Sequence, residues 1–215
     1  MIKTKRKTNL LVILPRIEPG GAEITTLRVL KHISEKKNIS IQTLCLKGGM
    51  LKKSFNEISK LVIINLKELI NKPIILIKEL HKIYKLIRSS DIIMAVLYIP
   101  QLLIALVWLL GGCKRKNKII ICVHNVDYKL RNVGWPSYIS LLSFYILRFH
   151  KNVNYIFCSQ SAYSSHKHFL SPQNRYSIIN NGFKAPVLNI DRSKTIVKNR
   201  LIRILIVARY HPHKD

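Results

Sequence analysis

Short runs of nearly continuous apolar residues recur along the chain and alternate with longer segments whose apolar residues return every third or fourth position. The runs are Asn9–Leu14, Ile39–Leu46, Leu61–Ile64, Ile92–Leu97, Lys118–Val123, Val153–Cys158 and Tyr176–Ile179. Strands that face water on one side alternate apolar and polar residues, whereas strands apolar throughout belong to parallel sheets covered on both faces. Between them, residues 22–37 place Ile24, Leu27, Leu30 and Ile33 at helical spacing. Residues 72–88 predict an amphipathic helix with Pro73 in its first turn, where a missing N–H does little harm. Its apolar side would hold Ile77, Leu80, Tyr84 and Ile87, with Lys78, Lys82, Lys85 and Arg88 opposite. Further helices are expected over 101–110, from Pro136 to about His150, and over 160–169. Strand and helix alternate in this way in a Rossmann-like, doubly wound α/β domain.

That domain is expected to occupy residues 1–182, with its core over 9–182. Residues 183–202 lack periodicity, have their apolar residues interrupted by Lys, Asp, Ser and Pro, and predict a linker. A new apolar strand, Ile204–Val207, opens the segment 203–215 and predicts the first element of a second domain that the chain does not complete.

Composition narrows the function less than it narrows the fold. The 37 Lys and Arg against 10 Asp and Glu give a formal charge of +27, which attracts nucleic acid, anionic head groups or phosphorylated substrates. The charge is dispersed along the chain, so it reflects either a functional basic surface or a bias in overall residue usage. Four single cysteines, with no C-x-x-C pair, speak against metal or disulfide roles and fit a reducing compartment. The basic start Lys3–Lys7 followed by Leu10–Leu14 resembles a signal peptide, but Pro15 and Arg16 end the apolar run too early. Residues 92–113 carry no charge over a length that could span a bilayer. Pro100–Gln101 divides that stretch and Gly111–Gly112 closes it, which favours a buried strand followed by a buried helix over a membrane span.

Ligands of doubly wound sheets bind at the carboxyl ends of the strands. After the first strand come Gly20–Gly21–Ala22–Glu23, a pair of glycines that lets backbone approach a ligand at a helix amino terminus. Glu23 would sit in the helix's first turn, favourable against its dipole. The spacing is not that of a dinucleotide fingerprint. After the fifth strand come His124–Asn125–Val126–Asp127; an imidazole there could hydrogen-bond a sugar hydroxyl or titrate near neutrality. Asn181–Gly182 ends the last strand and permits a sharp turn. Arg209 and Lys214 follow Ile204–Val207 and could clamp a diphosphate.

Taken together, Gly20–Gly21–Ala22–Glu23, His124, Ser159 opening a helix, Asn181–Gly182 and the pair Arg209 and Lys214 resemble, in order and spacing, the GT-B retaining glycosyltransferases of family 4. The resemblance implies an N-terminal acceptor-side half of a GT-B fold. Gly20, Gly21, Arg209 and Lys214 would then bind donor phosphate or sugar, and His124 would contact the transferred sugar as the catalytic residue. Glu23, Asn125, Asp127, Ser159 and Asn181 would line the acceptor side of the cleft. The implied reaction transfers a hexose from a nucleotide-diphosphate sugar to a saccharide or lipid-linked acceptor, in cell-surface polysaccharide or lipopolysaccharide synthesis. It implies no cofactor and no metal. The family's paired donor-binding glutamates lie beyond residue 215, so the chain alone is expected to have little or no activity. A cytoplasmic location is expected, with Lys78, Lys82, Lys85 and Arg88 facing an anionic membrane surface. The competing readings are a basic nucleic-acid-binding module, which lacks any reader motif, and an integral membrane protein resting on residues 92–113.

Overall fold

The computed structural model describes residues 6–69, 71–113, 116–124 and 135–182. Asn125, Asp127, the expected linker 183–202 and the segment 203–215 with Arg209 and Lys214 lie outside them. Seven strands form one sheet: β1 Thr8–Leu14, β2 Ile39–Cys45, β3 Lys60–Ile63, β4 Ile92–Val96, β5 Lys118–Val123, β6 Val153–Phe157 and β7 Arg175–Ile178. Their order across the sheet is β3-β2-β1-β4-β5-β6-β7 and every neighbouring pair is parallel. The expected doubly wound architecture is therefore present.

The helices are α1 Gly21–Ser34, α2 Lys52–Ile58, α3 Leu66–Leu69, α4 Pro73–Ser89, α5 Tyr98–Leu109, α6 Trp135–Leu147 and α7 Gln160–His166. Residues 167–169 continue α7 as a 3-10 turn. No periodicity announces α2 or α3, because neither completes enough turns to display one; Phe55 is the single buried residue of α2.

Winding explains where the crevice falls. The chain lays down β1, β2 and β3 in one direction, and α4 then carries it back past β1 to β4, from which the sheet grows the other way. β1 is thereby bonded on both edges, Leu10 pairing with Ile41 on one side and with Ile92 on the other. Leu11, Val12, Ile13 and Leu14 are fully buried. Each such side chain contributes roughly 2 kcal/mol of burial energy.

The pleat sends alternate residues to two cores. Leu11, Ile13, Leu44, Ile93, Ile121 and Tyr155 meet the layer formed by α4, α5, α6 and α7. Leu10, Val12, Leu14, Ile41 and Cys45 meet α1 and α2. On the first side, Phe144 stacks on Tyr155 at 4.9 Å and Tyr155 lies 6.3 Å from Phe157. On the second side, burial fades toward β7, all four residues of which are exposed.

Two expectations need correction or completion. The apolar side of α4 is only partly the one expected: Ile87 is buried and Tyr84 packs against the core, joined by Ile83, whereas Ile77 is 67% and Leu80 41% exposed. This helix carries apolar residues at most positions of its amino-terminal half, so period alone does not fix which of them face inward. Residues 92–113 form β4 and α5, and among the described residues no helix is long and apolar enough to cross a membrane.

The Tyr155 hydroxyl is buried and finds no partner among the described residues, and burial pushes its pKa upward. Tyr155→Phe should therefore leave urea stability unchanged or raise it by about 1 kcal/mol, since an unpaired buried hydroxyl is removed. Phe144→Ala, which opens a cavity beside the same ring, should cost about 3–5 kcal/mol in the same measurement.

Candidate functional site

All the parallel strands release their carboxyl ends at one rim, and the order reversal between β1 and β4 opens a crevice there. Leu14 leads through Pro15 and Arg16 to Ile17, which is fully buried and anchors the β1–α1 loop. The Ile17 carbonyl accepts from the Leu51 amide at 3.0 Å, and a side chain on Gly49 would collide with that carbonyl. The glycine at 49, which reads in the sequence as a turn, thus also lets two rim loops touch.

Gly20 is the residue before α1, with extended backbone and its carbonyl accepting the Ile24 amide at 2.9 Å. A side chain at Gly20 would meet the Glu23 carboxylate, the far end of a flexible side chain that would have to turn aside. A side chain at Gly21 would meet nothing. Glu23 itself is only 3% exposed. Its Oε1 accepts no hydrogen bond among the described residues, and Arg16 approaches it with Nε at 3.6 Å. A buried carboxylate oxygen without a donor is costly and stands ready to accept one.

Two strands away, β5 delivers His124 to the same rim. The imidazole is half-buried and its Nδ1 has no hydrogen-bond partner among the described residues. Burial lowers its pKa, and the Glu23 anion opposes that shift in part. The ring is therefore neutral at pH 7, with one nitrogen able to donate and the other to accept. Between these groups, Leu97 at the end of β4 has φ 69, a left-handed backbone in which a residue with a side chain is strained.

Beside His124 lies a cavity of about 290 Å³ on the sheet face that α1 covers. Thr25 and Thr26 of α1 form one wall, and Met94, Cys122 and Ile156 form the floor. Cys158, Asn180, Asn181 and Gly182 complete it. The structure thus brings His124 and Asn181 together in one cavity, and places Gly20, Gly21 and Glu23 on the same rim. Ser159 is engaged locally instead, since its hydroxyl accepts the Ala162 amide at 3.1 Å and caps α7. Lys78, Lys82, Lys85 and Arg88 are exposed on α4, where Lys82 pairs with Glu79 at 3.4 Å and Arg88 donates to the Tyr84 hydroxyl at 2.9 Å.

Sequence reasoning missed Thr25, Thr26 and Cys158 as site residues. Two small hydroxyl residues inside a helix carry no local signal, and Cys158 reads as an ordinary apolar cysteine. Burial raises the thiol pKa of Cys45 to about 11 and of Cys113 and Cys122 to about 12, whereas Cys158 is only half-buried. Among the described residues no group of three or more His, Cys, Asp or Glu could hold a metal ion.

His124 and His150 are both held below the free imidazole value of 6.5 by burial. Below that pH the unfolded chain binds protons that the folded chain resists, so stability should fall as pH drops from 6.5. His124→Asn should flatten part of that slope in denaturant titrations. Glu23→Gln removes the opposing anion and should lower the His124 pKa further, read from its ring proton shifts; an upward shift would contradict the geometry.

No protein-family model and no curated protein matches the sequence. Solved structures do match. A crystal structure of Anabaena Alr3699/HepE in complex with UDP aligns with TM-score 0.59 at 16% identity, over 82% of this chain and 44% of that one. The lipopolysaccharide outer core galactosyltransferase WaaB aligns with TM-score 0.57 at 14% identity, over 84% of this chain and 47% of that one. A UDP-N-acetylglucosamine 2-epimerase aligns with TM-score 0.52 at 8% identity, over 76% and 45%. The chain spans less than half the length of each of these proteins, and what it shares with them is the fold: one Rossmann-like half of a GT-B-type architecture.

Proposed function

We propose that this chain is the acceptor-side half of a retaining GT-B glycosyltransferase of the family-4 type. Its reaction would transfer a hexose from a nucleotide-diphosphate sugar to a saccharide or lipid-linked acceptor in cell-surface polysaccharide or lipopolysaccharide synthesis. The observation that carries this reading is the neutral His124 imidazole. It has an unpartnered ring nitrogen, stands at the carboxyl end of a strand beside the order reversal, and faces a cavity closed by Asn181 and Gly182. A neutral imidazole recognises hydroxyls without demanding a charge, which suits a sugar. Support comes from the fold shared with a protein crystallised with UDP-glucose.

Within this reading Glu23 acquires a distinct part. An anion in the first turn of α1 opposes a phosphate at that helix terminus, while its free oxygen can accept a sugar hydroxyl. Glu23 and His124 would then grip the carbohydrate, with Gly20 and Gly21 keeping the backbone low beside it. The diphosphate would be held by Arg209 and Lys214, at the start of a donor-binding domain opening at residue 203. Lys78, Lys82, Lys85 and Arg88 would favour an anionic membrane carrying a lipid-linked acceptor.

A ligand titration followed at two probes, the His124 ring protons and the alkylation rate of Cys158, tests this reading. UDP-glucose, UDP-galactose and UDP-N-acetylglucosamine, each with and without free saccharide acceptors, should shift the ring signals and slow Cys158 labelling by at least about threefold at saturation, as expected for an occupied cavity. His124→Ala removes the first probe, and in that variant the sugars should no longer slow Cys158 labelling. Perturbation by none of these sugars at either probe would end the proposal.

A further inference from the structure

The outer surface of α5 and α6 carries a feature that the sugar site does not use. On α5 and at the residue that caps its carboxyl end, Ile99, Leu106, Leu109 and Leu110 are exposed, the last two by 59% and 75%. On α6 and the residue pair after it, Tyr138, Leu142, Tyr145 and Phe149 are exposed by at least half. Both sets follow helical spacing, so each helix turns one apolar stripe to the outside in addition to the face that it buries on the sheet.

The stripes run side by side. Gln101 meets Ser143 at 3.4 Å, and Trp108 meets His150 ring to ring at 5.8 Å. Both pairs are separated by 42 positions, so α5 and α6 are parallel neighbours in constant register, both resting on the same sheet face. An exposed band of leucine, tyrosine and phenylalanine of this extent is unusual on a surface that only meets water.

The charge around the band identifies its occupant. Arg148 lies over the rings of Tyr145 and Phe149 at 5.7 and 5.6 Å, and Lys116 and Lys151 are exposed at the same end. The sequence has no Asp or Glu between Asp91 and Asp127, nor between Asp127 and Asp191. A second copy of the chain placed on this band would bring two cationic rims together without a carboxylate to separate them. An anionic bilayer complements both parts, since apolar side chains enter the acyl boundary while Arg and Lys reach the head groups. A cleft of about 390 Å³ at the carboxyl ends of these helices repeats the pattern, with Trp108 and Phe149 as apolar walls and Lys151 at the edge.

We propose that the α5–α6 outer face inserts into the interface of an anionic lipid bilayer, with both helices lying along the membrane plane. This surface is separate from the basic side of α4, and it does not depend on the sugar-transfer reading. Insertion by α5 and α6 supplies the apolar attachment, and the cations of α4 add only a salt-sensitive contribution.

Flotation of the full chain with vesicles tests this. Vesicles of phosphatidylcholine with about a third phosphatidylglycerol should bind at least tenfold more strongly than phosphatidylcholine alone. Leu109→Gln combined with Phe149→Gln changes only exposed side chains, and should lower binding about tenfold or more at both low and high salt. Replacing Lys78, Lys82, Lys85 and Arg88 by Gln should weaken binding at low salt only. Unchanged thermal melting of both variants establishes that they fold. The proposal is overturned if the Leu109/Phe149 variant floats like the parent, or if the α4 variant alone abolishes binding at high salt. It is equally overturned if the band proves to mediate self-association, with the variant converting a dimer to a monomer and leaving flotation intact.

Discussion

A strand with parallel neighbours on both edges has its backbone groups satisfied wherever it is paired, and helices over both faces of the sheet keep its side chains from water. β1 is held in this way, paired along its length with β2 and over four residues with β4. Because its two neighbours are reached by chain running in opposite directions across the sheet, the helices that follow β1 and β4 depart on opposite faces. The crevice at the rim is the geometrical remainder of that divergence. The positions of Glu23, Leu97 and His124 all follow from it, since Leu97 and His124 directly follow strands and Glu23 lies in the first turn of the helix that follows β1.

Electrostatics at this rim run against the character of the whole protein. A chain with formal charge +27 buries the Glu23 carboxylate on the same rim as an imidazole that burial keeps neutral. The cation that approaches Glu23, Arg16, is half-exposed and too wet to neutralise it fully. The rim is consequently set up for groups that donate and accept hydrogen bonds without carrying charge, while the cationic surface lies elsewhere.

The helical layer shows how the excess of apolar residues is divided. One stripe of α5 and α6 fills the core beneath, against Ile121 and Tyr155, and a second stripe remains outside. The same surplus on α4 leaves Ile74 and Ile77 exposed beside lysines. Aromatic and aliphatic exposure in an acid-free part of the sequence is a property of α5 and α6 alone: α4 carries Glu79, and Glu18, Glu23, Glu35 and Glu57 lie on the opposite face with α1 and α2 or in its loops.

What the sequence alone determined is the architecture. The strands recur as continuous apolar runs because both faces of each are buried, and that pattern predicts a parallel sheet without any knowledge of contacts; the ends of β5 and β6 fell within a residue of expectation. It also singled out Gly20, Glu23, His124 and Asn181, since residues directly after strands sit at the rim by the logic of the fold. Only the tertiary structure decided which of these share a cavity, that Ser159 is occupied as a helix cap, and that the Glu23 carboxylate is buried beside Gly20. Tertiary packing alone also fixed which side of α4 is buried and left the outer stripes of α5 and α6 uncovered. The physical reason is that period and composition report how much apolar surface an element has. Which part of that surface finds a partner depends on neighbours distant in the chain.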